Sequence, residues 1–344
     1  MSKKLILILI LVFLALIAFF GDNKKVEPPS KKLAERNYSL SFGAVPFGKS
    51  EKSMEKILDN SVDKISEGAD IYLAVALWSR IDEPFAVSLF ERGIAKAREK
   101  GLNISLYIDV TNPDDRTTIA LPSNVAYSSL SWKDESVRKA YADFVLSLME
   151  KYRPEYLGLG VEVDTLYLKN LSEFIAYADA VNEVSKELKE LYPDTFIYVS
   201  VQYDRLIRSA PESESLELFD YFNDNINLGL SLYPWQFYSE ISDIPENYLE
   251  KAYNTKKPVY IAETSWSSAS EGVLPGSLEQ QKEFVNWLHN EALKGGINVI
   301  TWWSVNDFES PGDPTFSFWN SQGLVDKKFN EKPAWDAWIG SYRE

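Results

Sequence analysis

Residues 71–76 read Ile71-Tyr72-Leu73-Ala74-Val75-Ala76, an apolar run without a single charged or strongly polar side chain. A strand with one face in water alternates apolar and polar residues, so this run predicts a strand that is buried on both faces. Two-sided burial is typical of a parallel sheet whose faces are covered by helices. The stretch therefore predicts an α/β fold.

Similar runs recur along the chain and alternate with amphipathic stretches, such as the one in which Ala140, Phe144 and Leu148 recur every four residues. Eight strand–helix units are most simply closed as a single (β/α)8 TIM barrel. The alternative is an open doubly wound sheet, but no G-x-G-x-x-G follows the first strand and no Walker loop occurs. The predicted strands are Tyr38–Val45, Asp70–Leu77, Asn103–Asp109, Tyr156–Glu162, Thr195–Val201, Ile226–Tyr233, Pro258–Glu263 and Ile297–Ser304.

The N-terminus carries a separate signal. Two lysines precede an unbroken apolar run at residues 5–20, which as a helix would be about 24 Å long. The run is a signal-peptide core or a signal anchor, and the lack of a clear small-x-small cleavage site favours the uncleaved anchor. We therefore predict a signal peptide or anchor at 1–21, a polar tether at 22–36 and the barrel at 37–344. The predicted location is extracellular or at the cell surface, with membrane attachment through residues 5–20 if they are retained.

Composition excludes several chemistries. The 344 residues include no cysteine and one histidine, so thiol nucleophiles, thiolate metal sites and iron–sulfur clusters are ruled out. His289 lies within a predicted helix, and we interpret it as a surface or packing residue. The net charge of −15 argues against nucleic-acid binding. Carboxylates and aromatic rings remain in quantity, and we expect no metal and no cofactor.

Two glutamates stand out at the predicted strand ends. In a (β/α)8 barrel the chemistry lies at the carboxyl ends of the strands. Glu162 ends the fourth strand and Glu263 ends the seventh, each after an apolar run, so both carboxyls would point towards the barrel axis. Glycoside hydrolysis needs such a pair, because one carboxyl protonates the leaving oxygen while the other attacks the anomeric carbon.

Aromatic and polar residues at the other strand ends are candidates for substrate binding, since sugar C–H faces stack on flat rings. The sequence predicts a rim of tryptophans, and Trp303 or Trp319 is a further member of it. The predicted substrate-binding residues are Trp78, Arg80, Asp109, Gln202, Tyr233, Trp235, Trp266, Trp302 and Asn306.

These residues carry a resemblance to a known group of enzymes. Gly158–Glu162, Leu228–Pro234, Lys257–Trp266, Trp302-Trp303 and the tail at 323–335 resemble glycoside hydrolase clan A, the TIM-barrel retaining glycosidases. Within the clan the chain is most similar to family 53 endo-galactanase-like proteins, with some likeness to families 5, 17 and 113. The resemblance implies hydrolysis of β-glycosidic bonds in a poly- or oligosaccharide without a cofactor.

The resemblance also implies roles for single residues. Glu162 would be the acid/base, Glu263 the nucleophile and Tyr233 a donor to Glu263. Trp302 would be the sugar platform at the cleaved residue, and Arg80 would help to orient Glu263.

The chain departs from the clan in two places. Val161 stands where most members have an asparagine before the acid/base glutamate, and the frequent histidine of the third strand is missing. Asp109 or Asn112 would take the place of that histidine. The departures keep a second hypothesis open, a cell-surface carbohydrate-binding barrel without catalysis. A third hypothesis is a metal-dependent hydrolase built from Glu162, Asp164, Asp204 and Asp307.

Overall fold

The computed structural model describes residues 36–340, except 113–114, 123–130, 210, 212, 214–215, 271–273, 275 and 310–313. The predicted signal or anchor segment and most of the predicted tether lie outside the described residues. Within the described part of the chain, no helix is both long and apolar enough to cross a membrane.

Eight parallel strands form a closed barrel, in which each strand pairs with the next in sequence and the eighth pairs with the first. This confirms the predicted (β/α)8 barrel and excludes the open sheet. The strands are β1 (Ser39–Gly43), β2 (Ile71–Leu77), β3 (Asn103–Asp109), β4 (Tyr156–Gly158), β5 (Phe196–Gln202), β6 (Asn227–Leu232), β7 (Val259–Thr264) and β8 (Ile297–Trp302).

Helices follow the strands, and several begin at a capping side chain. Ser50 and Ser53 form a reciprocal capping box, and the side chains of Asp134, Asn170 and Ser277 each accept a hydrogen bond from a backbone N–H of the first turn. The helices are α1 (Glu51–Gly68), α2 (Pro84–Glu99), α3 (Glu135–Tyr152), α4 (Asp164–Lys169), α5 (Leu171–Leu191), α6 (Tyr203–Ser209), α7 (Glu250–Tyr253), α8 (Leu278–Lys294) and α9 (Pro333–Gly340), with short 3₁₀ segments at Trp78–Arg80, Glu217–Tyr221, Pro234–Gln236, Ile241–Asp243 and Pro314–Trp319.

Alternation along the strands separates the barrel interior from the layer under the helices. The interior contains Tyr107, Tyr198 and Tyr260, and the rings of Tyr198 and Tyr260 stack with their centroids 4.3 Å apart. The buried interior cluster comprises Ile71, Leu73, Tyr107, Val161, Tyr198, Tyr260, Ala262 and Val299.

The fourth strand is shorter than predicted, because it ends at Gly158 and not at Glu162. Gly158 lies against the ring atoms of two interior tyrosines. A Cβ at this position would lie 2.5 Å from Tyr107 and 2.8 Å from Tyr198, so only glycine fits there. Beyond it Leu159, Gly160 and Val163 still form backbone hydrogen bonds with β5. The chain turns between them, and Glu162 adopts a φ of 48°.

Candidate active site

Glu263 reaches the barrel interior through an irregularity in β7. Leu230 of β6 pairs with Ile261, but the next residue, Ser231, pairs with Glu263, so β7 contains one extra residue at this point. Such a β-bulge re-aims the side chains that follow it. Because Ala262 already belongs to the interior cluster, a regular strand would turn Glu263 towards the helices. The bulge instead brings Glu263 to the interior as well.

Tyr233, which follows β6, holds the carboxyl of Glu263. Its hydroxyl donates a hydrogen bond of 2.9 Å to Oε2 of Glu263. Burial and the charges of Glu263 and Glu162 keep the pKa of Tyr233 well above its ordinary value, so the phenol remains a donor. This contact is the one that the resemblance implies.

The electrostatics of the site couple the two glutamates. Burial and the charge of Glu162 raise the pKa of Glu263 to about 8, against the opposing effects of the Tyr233 hydroxyl and the Arg116 guanidinium. Below about pH 8 the free site therefore favours a protonated Glu263 carboxyl beside the charge of Glu162.

Glu162 lies on the turn that follows β4, and Ser200 of β5 supports that turn. The backbone N–H of Glu162 donates to Ser200 Oγ at 3.1 Å. Val163 N–H donates to the Ser200 carbonyl at 3.0 Å, and Ser200 N–H donates to the Gly160 carbonyl at 3.1 Å. The preceding Val161 is buried in the interior cluster.

Arg116, on the loop after β3, links a third carboxylate to this pair. Its Nη1 lies 2.7 Å from Oδ2 of Asp109, and its Nε lies 3.7 Å from Oε2 of Glu162. Although burial opposes the charged form, Asp109 and Glu162 hold the pKa of Arg116 above its ordinary value. Asp109 is buried and also accepts hydrogen bonds from Thr111. Its carboxylate lies beside Arg116 and is engaged by these partners.

The prediction for Trp302 was wrong, and strand alternation explains why. Val299 of β8 faces the interior, so Trp302 faces the helices and Trp303 faces inwards. Trp302 has no exposed surface and packs against Phe284 of α8 and Trp338 of α9. Trp303 is half-buried at the barrel mouth.

Two more of the predicted rim tryptophans also lie outside the barrel wall. Trp78 stacks on Phe144 of α3 and lies close to Trp132. Trp266 is buried against Phe284 of α8. Both side chains fill space between the strands and the helices, and neither offers a face to a ligand.

An aromatic wall stands beside Glu263, formed by Tyr233, Trp235, Trp303 and Trp319. The ring centroids of Trp303 and Trp319 are 4.9 Å apart, and the centroids of Tyr233 and Trp319 are 5.3 Å apart. Trp235 is almost buried and packs edge-on against Trp319, so it supports the wall. The half-buried indoles of Trp303 and Trp319 provide the accessible aromatic surface.

Arg80 lies away from the glutamates, which corrects its predicted role in orienting Glu263. Its guanidinium forms an exposed ion pair with Glu83, with Nη2 and Oε2 2.6 Å apart. Arg80 belongs to the 3₁₀ turn Trp78–Arg80, which carries it out of the barrel mouth. Arg116 is the arginine that approaches the carboxyl pair.

Gln202 and Asn306 are also predicted to bind substrate, and their amides are engaged within the protein. Gln202 Nε2 donates to Asp204 at 3.3 Å, and Asn306 Oδ1 accepts a 2.8 Å bond from Ser61 of α1. We therefore withdraw both from the list of substrate contacts.

The sequence did not single out Arg116 or Ser200 as site residues. It also did not show that Trp303, and not Trp302, faces the barrel mouth. Arg116 stands in a loop whose polar residues gave no spacing signal. The other two could have been found from alternation within their strands.

Among the described residues, no group of three or more His, Cys, Asp or Glu side chains could hold a metal ion. The four carboxylates of the metal hypothesis do not form such a group.

Comparison with known proteins identifies the fold. No protein-family model matches the chain, and no curated protein matches its sequence. An exo-β-1,4-mannosidase from Opitutaceae bacterium strain TAV5 matches with a TM-score of 0.69 and 14% identity over 91% of this chain and 61% of that chain. This chain therefore spans less than two thirds of the length of the mannosidase.

Two further solved structures are matched over more of their length. GH5_18 from Bifidobacterium longum subsp. longum matches with a TM-score of 0.66 and 17% identity, over 90% of this chain and 80% of that chain. Xylanase 10B from Thermotoga maritima matches with a TM-score of 0.60 and 14% identity, over 91% and 97%. At these identities the likeness establishes the barrel fold alone.

Proposed function

We propose that this chain is a retaining β-glycoside hydrolase of clan A, with Glu162 as acid/base and Glu263 as nucleophile. One observation carries the proposal. Glu162, on the turn after β4, and Glu263, in β7, lie close enough for the charge of Glu162 to raise the pKa of Glu263, and a tyrosine hydroxyl donates to Glu263.

The proposed reaction is a double displacement. The Glu263 carboxylate attacks the anomeric carbon while Glu162 gives its proton to the departing glycosidic oxygen, so a glycosyl ester forms and an alcohol leaves. Glu162, now ionised, takes a proton from water as that water attacks the anomeric carbon. The ester bond to Glu263 breaks, and the sugar is released with its original configuration.

This mechanism needs one proton on the pair, and the proton must be on Glu162. The Tyr233 hydroxyl favours the ionised form of Glu263, because it can donate to the carboxylate. Positive charge that develops on the sugar ring in the transition state would favour the same form. Both effects favour an ionised Glu263 in the transition state, with the proton on Glu162.

The proposed substrate is a β-linked poly- or oligosaccharide, cleaved within the chain. The aromatic wall beside Glu263 supports this, since its exposed indole faces suit stacking against pyranose rings. The likeness to family 53 suggests a galactan, whereas the matched structures are named a mannosidase and a xylanase. We therefore place β-galactans, β-mannans and β-xylans first among the substrates to test.

The test is a panel of these polysaccharides and the matching aryl β-glycosides, incubated with the full chain and with its Glu263→Ala variant. The proposal predicts turnover by the parent protein alone, with the β-anomer formed first when the products are followed by NMR. Release of internal fragments from an end-labelled polymer would support endo action. Binding without turnover by the parent protein would support the non-catalytic carbohydrate-binding barrel, and a first-formed α-anomer would refute retention.

We also propose that the protein works outside the cell or at its surface and is anchored through residues 5–20. The apolar run after two lysines supports this. Extraction of membranes at alkaline pH tests it, because an anchored protein stays with the membrane pellet. A chain that begins near residue 22 in the culture medium would instead indicate cleavage.

A further inference from the structure

Ser200 makes three hydrogen bonds to the turn that carries Glu162, and one of them depends on its side chain. The two backbone bonds, to Gly160 and Val163, continue the parallel pairing of β4 with β5 and would form with any residue. The third joins Glu162 N–H to Ser200 Oγ. Only a side chain with an acceptor close to the backbone can form it.

The backbone of Glu162 has a particular need for such a contact. With a φ of 48° it occupies the left-handed region, which is strained for a non-glycine residue and persists only where the surroundings hold it. The direction of the Glu162 side chain follows from this backbone conformation. If the turn relaxed, the carboxyl would move with it.

The hydroxyl of Ser200 is itself fixed from the opposite side. The hydroxyl of Tyr107, on β3, is hydrogen-bonded to Ser200 Oγ. Both side chains are fully buried, and the Tyr107 ring packs against Tyr198. Whichever hydroxyl donates, the bond fixes the rotamer of Ser200, so that an acceptor site of Oγ faces the Glu162 N–H. A chain of contacts thus runs from β3 through β5 to the backbone of Glu162.

We propose that Ser200, held by Tyr107, is a positioning residue that aims the carboxyl of Glu162 at the leaving-group oxygen. Ser200 acts through the Glu162 backbone and does not touch the substrate. The inference rests on the proposed glycosidase function, since it concerns the direction in which the acid delivers its proton. It assigns a task to a buried hydroxyl that packing alone does not require.

The leaving group provides a sharp test. A phenyl glycoside needs protonation of its oxygen, whereas 2,4-dinitrophenolate departs without a proton. In the full chain, Ser200→Ala should lower kcat/KM about 10- to 100-fold for the phenyl glycoside, the scale expected when a catalytic group is displaced by about 1 Å. For the dinitrophenyl glycoside the loss should stay below about threefold, because the chemistry there no longer needs the acid.

Ser105→Ala is the matched control. Ser105 is another buried hydroxyl of the barrel interior, bonded to Tyr198 at 3.3 Å, and among the described residues its side chain forms no hydrogen bond to the Glu162 turn. Ser105→Ala should change kcat/KM for the phenyl and the dinitrophenyl glycoside by the same factor. Tyr107→Phe is the second variant, for use if Ser200→Ala folds poorly. It leaves the Ser200 hydroxyl in place but removes its hydrogen-bond partner, and it should show the leaving-group dependence expected of Ser200→Ala.

A double-mutant cycle completes the test. In a Glu162→Ala background, the loss that Ser200→Ala causes on the phenyl glycoside in the parent protein should disappear, because the group that Ser200 positions is gone. Equal losses on both substrates, or no loss, in Ser200→Ala and Tyr107→Phe would overturn the inference while leaving the proposed function intact. A parent protein that hydrolyses neither substrate would instead refute the proposed function, and the inference with it.

Discussion

Replacing Tyr233 by phenylalanine removes one hydroxyl and leaves the ring in the aromatic wall. The lost contact is the 2.9 Å hydrogen bond to Oε2 of Glu263. A hydrogen bond to a charged group contributes about 1.5–3 kcal/mol, and about 1.4 kcal/mol corresponds to a factor of ten. We therefore expect kcat/KM to fall by about 10- to 150-fold. The backbone N–H of Tyr233, which donates to Asp204 at 2.7 Å, is unaffected, so the loop should keep its place.

The assay is kcat/KM on an aryl β-glycoside across a range of pH. Without the donor, ionised Glu263 is less stable, so the acidic limb of the profile should move to higher pH. Tyr141→Phe is the control, because it also removes a buried hydroxyl and the Leu159 carbonyl keeps Tyr177 as a donor. A loss below about threefold in Tyr233→Phe, or a similar loss in both variants, would refute the assigned contact.

Three further predictions concern the surroundings of the pair. Trp303→Ala should raise KM several-fold with little change in stability, whereas Trp302→Ala should destabilise the fold by about 3–5 kcal/mol. Denaturant unfolding and steady-state kinetics on both variants test this. A large loss of stability in Trp303→Ala, with a raised KM and normal stability in Trp302→Ala, would contradict the prediction. In the parent protein, activity should fall as pH rises through about 8, because the proton that Glu263 holds in the free site is then lost. A profile that stays flat from pH 7 to about pH 9 would contradict the effect of Glu162 on Glu263. Arg116→Ala removes a cation beside Asp109 and Glu162. The loss of activity at alkaline pH should therefore occur at a higher pH in this variant than in the parent protein. An unchanged pH profile would show that Arg116 does not act on the two glutamates.

The barrel and the glutamate pair were accessible to sequence reasoning because their signals are strong. Two-sided burial makes β2 a continuous apolar run, and eight such runs admit few arrangements. A glutamate at the end of a buried strand has no solvent to face, so its placement signals a site. Both glutamates lie within one buried site of the structure, and the aromatic residue after β6 donates to one of them.

The finer geometry depends on backbone detail that a residue pattern does not show. The one-residue bulge in β7 exchanges the inward-facing and outward-facing positions of the residues that follow it. The early end of β4 places Glu162 on a turn. Strand alternation separates Trp302 from Trp303, a distinction that the resemblance alone does not make. Arg116 reaches the site from a loop, where spacing carries no information about which groups meet.

Chemical rescue with azide tests the central claim, the roles of the two glutamates, most directly. With an activated aryl β-glycoside, Glu263→Ala should regain turnover in azide and yield the α-glycosyl azide, because azide enters the space of the missing nucleophile. Glu162→Ala should yield the β-glycosyl azide, since its glycosyl ester still forms on Glu263 and azide then opens it. A β-azide from Glu263→Ala, or an α-azide from Glu162→Ala, would contradict the assignment.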